Sequence, residues 1–119
     1  MKLAYNQASI NLGNTKENPS VGCVITKNNH LISAGRTEFK GRPHAEDTAI
    51  NFSKENLHKA NLYVTIEPCS HTGKTPPCVN KIVKNKIKKV YFSVLDPDKR
   101  SFNKSSKILN SKGIIVSKG

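Results

Sequence analysis

The chain has 119 residues, which gives one domain with enough length to bury an apolar core without disulfide staples. Its 20 Lys+Arg against 8 Asp+Glu leave a formal net charge of +12. Many lysines stand beside asparagines, as in Lys27-Asn28-Asn29 and Lys84-Asn85-Lys86, so this balance reads chiefly as compositional drift, then as attraction for a phosphate-bearing substrate, and last as a nucleic-acid face. Nothing approaches the ~18 consecutive apolar residues of a membrane span, and no basic start followed by an apolar stretch marks a secretory signal. An odd count of three cysteines then predicts a cytoplasmic protein whose thiols serve metal or catalysis rather than disulfides.

Leu3, Ala4, Ala8 and Leu12 fall at helical spacing, and Gly13 punctuates the pattern. A polar loop, Asn14 to Ser20, contains Pro19. The apolar run Val21 to Ile25 predicts a buried strand; Asn28-Asn29 predicts a tight turn, and Leu31 to Ala34 the returning arm of a hairpin. After a break at Gly41-Arg42-Pro43, the composition of His44 to Glu55 predicts a helix with Ala45, Ala49, Ile50 and Phe52 available to the core. Leu62 to Ile66 reads as a strand and Pro68 to Pro77 as a loop. Cys78 to Ile87 reads as a helix with Cys78, Val79, Ile82 and Val83 on one side. Val90 to Leu95 is a strand, Ser105 to Lys112 a short helix, and Ile114 to Val116 a last strand. The order α-β-β-α-β-α-β-α-β predicts an α/β domain over residues 1–119. Its mixed five-stranded sheet lies between helices and is closed by right-handed parallel crossovers.

Four residues carry the chemistry. His44 and Glu46 stand at the start of one predicted helix, Cys69 directly after a strand, and Cys78 at the start of the next helix. Strand-to-helix junctions of a parallel sheet gather at its carboxyl edge, where active sites of open α/β folds lie. Imidazole and thiolates are good Zn²⁺ ligands, and three protein ligands with one open position is the catalytic pattern, whereas structural zinc takes four. Glu46 is placed to move protons without being a ligand. Cys23, inside an apolar strand, reads as a small core residue. The run Lys81, Lys84, Lys86, Lys88, Lys89 reads as a solvated face, and Glu67 as a residue orienting the loop or a ligand.

A His-x-Glu followed by Pro-Cys-x-x-Cys is the pattern of zinc deaminases acting on bases and nucleosides. His44-Ala45-Glu46 and Pro68-Cys69 match it, but eight residues separate Cys69 from Cys78. That longer stretch, Glu67-Pro68-Cys69-Ser70-His71-Thr72-Gly73-Lys74-Thr75-Pro76-Pro77-Cys78, resembles the signature of the diaminohydroxyphosphoribosylaminopyrimidine deaminases of riboflavin synthesis. So do Asn18-Pro19-Ser20-Val21-Gly22-Cys23-Val24-Ile25, Pro43-His44-Ala45-Glu46 and Asp96-Pro97.

The resemblance spans nearly the whole chain and implies a three-layer α-β-α fold similar to cytidine deaminase. It implies hydrolysis of the 2-amino group of a pyrimidinone ribose phosphate with release of ammonia. Zinc falls to His44, Cys69 and Cys78, proton transfer to Glu46, and substrate contacts to Asn18, His71, Lys74 and Thr75. Two departures stand out. Many members have His where this chain has Thr37, which would leave that contact to Arg36 or Arg42. The common bacterial form continues into a reductase domain, and none follows here, which implies a separate reductase polypeptide or its removal; a homodimer is expected by analogy of fold. The rival functions are a tRNA or nucleoside deaminase of the same fold, and a catalytically inactive zinc module that partners a separate reductase.

Overall fold

Asn28 and Asn29 both take left-handed backbone, with φ of 53° and 64°. A two-residue hairpin turn demands that conformation, and asparagine tolerates it better than most side chains. The turn joins β1 (Gly22–Lys27) to β2 (His30–Arg36), paired antiparallel from Lys27↔His30 to Gly22↔Arg36 with a register shift between Ile25 and Thr26. The structure is a computed structural model that describes residues 1–10, 20–38, 43–70, 77–95 and 104–118.

On its other edge β1 pairs antiparallel with β3 (Asn61–Ile66). From there β4 (Lys89–Val94) and β5 (Ile115–Lys118) continue parallel to β3, giving one mixed sheet of order β2-β1-β3-β4-β5. The helices are α1 (Lys2–Ile10), α2 (Ala45–Phe52), α3 (Cys78–Lys84) and α4 (Ser105–Ser111). The element order is the one the sequence predicts.

Two glycines fix which helix lies on which face. A Cβ on Gly22 would sit 1.6 Å from the Ala4 carbonyl oxygen of α1, and a Cβ on Gly35 would sit 2.5 Å from both the Ala45 oxygen and the Ala49 nitrogen of α2. Gly35 lies opposite Cys23 in the ladder, one residue from Gly22, and neighbours along a strand face opposite sides. So α1 and α2 approach the sheet from opposite faces, each with its backbone nearly touching a strand. Helices α3 and α4 stand on the α2 side, α3 packed between α2 and α4. The result is the expected α-β-α layering. Ile25, Leu62, Val64, Ile82, Ile87, Val90 and Leu109 are fully buried in the core; each such side chain favours folding by about 1.5–3 kcal/mol as an upper bound.

The differences from expectation lie at element ends. Helix α2 stops at Phe52 instead of reaching Glu55. Ser53 is extended, and its hydroxyl accepts the Glu55 N–H at 3.3 Å, a local turn that competes with the helix. Phe52, expected to be available to the core, is 68% exposed. Helix α3 stops at Lys84 rather than Ile87, because the Asn85 side chain donates to the Lys81 carbonyl at 2.8 Å and Lys86 turns left-handed. β2 runs longer than expected, and Ile114 enters the core just before β5 begins. No helix among the described residues is long and apolar enough to cross a membrane.

Candidate functional site

β3 runs out at Ile66 into Glu67-Pro68-Cys69. Glu67 extends the β3–β4 pairing by donating its N–H to the Val94 carbonyl at 2.8 Å. The buried Ser105 hydroxyl at the start of α4 donates to the Pro68 carbonyl, so α4 holds the segment just before Cys69. Cys69 is then tied to α3 twice: the Val79 N–H donates to its carbonyl at 3.2 Å, and the Cys78 N–H donates to its Sγ at 3.1 Å. Across from it His44 is the N-cap of α2, in extended backbone, its carbonyl accepting both the N–H of Thr48 at 3.0 Å and the Thr48 hydroxyl at 3.2 Å.

These three attachments bring three ligand atoms together. His44 Nδ1 lies 3.5 Å from Cys78 Sγ and 3.8 Å from Cys69 Sγ, and the ligand atoms of all three residues fall within 4.8 Å of one another. One Zn²⁺ bound tetrahedrally at ordinary Zn–N and Zn–S lengths keeps nitrogen and sulfur about 3.6 Å apart. The donor chemistry and the spacing therefore fit a zinc ion. Among the described residues the cluster comprises these three side chains. Cys23 is not among them; it is fully buried in β1, as expected of a small core residue.

The electrostatics of the cluster follow from its hydrogen bonds. Cys69 is lowered to about 4, first by the hydrogen bond from the Cys78 side chain, with burial opposing and His44 assisting. Cys78 is pushed well above the usual thiol range, first as the donor of that bond and then by burial. The pair thus favours one thiolate beside one thiol, a donor set that a cation completes by displacing the remaining proton. Glu46, in the first turn of α2, is 4% exposed. Burial, followed by the Cys69 thiolate, raises it to about 7. A carboxyl in that range can both take and give a proton near neutral pH.

His44, Cys69 and Cys78 thus come together, with Glu46 two residues beyond His44 in the first turn of α2. Asn18, His71, Lys74, Thr75 and Arg42 lie outside the described residues, as do Asp96 and Pro97. Thr37 has a structural role: its hydroxyl accepts the Val21 N–H at 2.9 Å, its own N–H donates to the Val21 carbonyl at 2.9 Å, and it is 1% exposed. Arg36 reaches α1, donating to Gln7 Oε1 at 3.4 Å.

The lysine run is not a uniformly solvated face. Lys81 pairs with Asp47 at 3.4 Å and donates to Asn51 at 2.8 Å, tying α3 to α2 beside the cluster, and Lys89 lies 4.6 Å from the centre of the Tyr91 ring. The signal for the first tie was available. Asp47 and Lys81 each stand three residues beyond a cluster member, His44 and Cys78, on helices that the cluster itself forces together.

Residues 1–94 match the cytidine and deoxycytidylate deaminase zinc-binding region. The chain is 41% identical, over its whole length, to the riboflavin biosynthesis protein RibD of Aquifex aeolicus, of which it covers 33%. It is 40% identical, again over its whole length, to the diaminohydroxyphosphoribosylamino-pyrimidine deaminase of Buchnera aphidicola from Acyrthosiphon pisum, of which it covers 81%. The crystal structure of a diaminohydroxyphosphoribosylaminopyrimidine deaminase/5-amino-6-(5-phosphoribosylamino)uracil reductase from Thermotoga maritima superposes on the whole chain with a TM-score of 0.93 at 39% identity, the chain spanning 35% of that protein. The chain thus spans about a third of the length of the fused relatives and most of the length of the Buchnera deaminase.

Proposed function

The chain belongs to the zinc-binding cytidine and deoxycytidylate deaminase family and, within it, to the diaminohydroxyphosphoribosylaminopyrimidine deaminases; from that premise we propose that it catalyses the deamination step of riboflavin biosynthesis. The reaction is hydrolysis of 2,5-diamino-6-(5-phosphoribosylamino)pyrimidin-4(3H)-one to 5-amino-6-(5-phosphoribosylamino)uracil and ammonia. The observation that carries this reading is the approach of His44 Nδ1 to two cysteine sulfurs with a buried carboxyl, Glu46, beside them.

In this proposal His44, Cys69 and Cys78 hold the zinc. Zinc held by three ligands supplies water acidic enough to be a nucleophile near neutral pH. Glu46 accepts the proton that the attacking water gives up and delivers it to the departing amine, so nitrogen leaves as neutral ammonia and the ring carbon keeps the oxygen. Burial of Glu46 keeps this proton from exchanging with bulk solvent during the transfer. Asn18, His71, Lys74 and Thr75 are assigned to the substrate by the family resemblance. Asn18 would bond a ribose hydroxyl, and Lys74, in a glycine-bearing loop, would meet the phosphate. The uracil product requires a reductase next, on this polypeptide or another, and self-association into a dimer belongs to the same proposal.

The test is ammonia release by zinc-loaded protein from the pyrimidinone ribose phosphate and, in parallel, from cytidine and an RNA stem-loop. Release from the ribose phosphate alone is expected. Release from RNA or cytidine with none from the ribose phosphate would transfer the reading to a nucleic-acid or nucleoside deaminase. Full zinc with no release from any of the three would leave an inactive zinc module.

A further inference from the structure

At the opposite edge of the sheet from the zinc cluster, three successive helix-to-strand turns feed β3, β4 and β5. Each contains one residue in left-handed backbone: Lys59 with φ 66°, Lys86 with φ 55°, and Gly113 with φ 82°. The turns are stitched together by the backbone. The Lys59 N–H donates to the Lys86 carbonyl at 3.0 Å, the Lys88 N–H to the Ala60 carbonyl at 2.9 Å, and the Ile115 N–H to the Lys88 carbonyl at 3.1 Å.

Between them lies a cavity of about 390 Å³. Lys59, Lys86, Lys88 and Lys112, all exposed, line it, and among the described residues no carboxylate does. His58, Gly113, Val83, Ile87 and Ile114 also line it, the last two buried, so the pocket sets lysines beside an apolar surface.

The lysines at φ 66° and 55° are out of place by conformation alone. Glycine and asparagine suit left-handed backbone, and this chain uses asparagine there in the β1–β2 hairpin turn, at Asn28 and Asn29. At the two left-handed positions nearest β3 and β4 it carries lysine instead, and both line the cavity. A strained residue kept at a pocket is reason to look for a ligand. Four cations with no anion among the lining residues repel one another unless an anion joins them.

We propose that this cavity is a binding site for a small anion carrying two or more phosphate groups, about 20 Å (the length of a six-residue strand) from the zinc cluster and independent of the deaminase reading. The volume lies in the range of small-molecule sites. A strand of nucleic acid would be gripped along an open basic groove with aromatic rings for its bases, and among the described residues no tyrosine, phenylalanine or tryptophan lines this cavity. The apolar lining residues give the non-phosphate part of the ligand a surface to rest on.

The probe is pyrophosphate, titrated calorimetrically into the full zinc-loaded chain at low salt, with inorganic phosphate and a short single-stranded RNA for comparison. The variant is Lys59→Asn/Lys86→Asn, in which asparagine keeps or improves both turns. Saturable pyrophosphate binding is expected, weaker for inorganic phosphate. In the double variant it should weaken by about tenfold or more, as charge-assisted contacts to phosphate are lost, while melting temperature and ammonia release are preserved. Three results would overturn the proposal. One is no saturable binding of pyrophosphate, and another is binding to the double variant within about twofold of the parent, which would place the ligand elsewhere. The third is RNA binding tighter than pyrophosphate and lost in the variant, which would make the site a nucleic-acid contact.

Discussion

Glu46 stands two residues from His44, close enough in sequence to be taken for a second ligand or a helix-capping carboxylate, and its burial at 4% exposure argues against the second role. A carboxylate that only caps a helix does so at the surface, where solvent lowers its cost. Replacing it by glutamine keeps size and hydrogen bonding but removes proton transfer. Glu46→Gln is therefore expected to retain zinc, measured by metal analysis, and to lose ammonia release by a factor of about 10² to 10⁴, the usual contribution of general acid–base catalysis; activity above a few per cent of the parent would remove Glu46 from the proton path. Cys78→Ser makes the complementary change. The hydroxyl is a poor zinc ligand, so the variant should lose its metal, and full occupancy by metal analysis would break the ligand assignment. At this scale the ligand set was legible because metal chemistry restricts residue types and the turns after strands restrict their position. Thr37 was not. Its bond with Val21 depends on how residue 21 enters β1, which no local pattern encodes.

Helices α1 and α2 both lie with their backbone against a strand glycine, but only α2 carries cluster residues. That difference separates stability from metal binding. Gly35→Ala would place a methyl 2.5 Å from backbone atoms of Ala45 and Ala49, and α2 must lift to make room. Overpacking of this kind costs about 1–3 kcal/mol, and here it should also weaken zinc binding, because His44 caps the displaced helix. Gly22→Ala clashes harder, against Ala4 of α1; it should lower the melting temperature while leaving zinc affinity near the parent's in whatever fraction folds. Chelator competition alongside thermal melts reads both. Parent zinc affinity in Gly35→Ala would mean that α2 does not set the position of His44. Element type and order were legible because apolar runs and helical spacing are strong signals across each element. Ends were less so: Ser53 stops α2, and Asn85 with Lys86 stops α3, through side-chain and left-handed turns that compete with the helix by small margins. Gly22 reads as part of a strand and Gly35 falls just past the end of one, and nothing in the sequence pairs them with particular helices.

The charge of +12 acts on the molecule as a whole. At about 20 mM salt the Debye length is about 20 Å, and at about 200 mM it is about 7 Å. The radius of gyration is 12.7 Å, between the two, so at low salt cations on opposite sides repel and at higher salt only neighbours do. Unfolding spreads these charges and relieves the repulsion, so screening favours the folded chain. The melting temperature of zinc-loaded protein should rise with sodium chloride across this range. A gain of about 1 kcal/mol corresponds to about 4 °C for a domain of this size. Chloride is the right salt, because sulfate stabilises by exclusion whatever the charge. A flat or falling melting temperature would mean that the excess cations are already neutralised within the fold. The same titration separates stability from substrate attraction. If the lysines are chiefly compositional, the KM for the ribose phosphate should change little over the salt range that moves the melting temperature. If they steer the phosphate, KM should climb steeply with salt. The placement of six lysines favours the first outcome. Lys81 is committed to Asp47, Lys89 lies over Tyr91, and Lys59, Lys86, Lys88 and Lys112 gather around a cavity at the far edge of the sheet, so these six are held by other contacts or lie away from the zinc cluster.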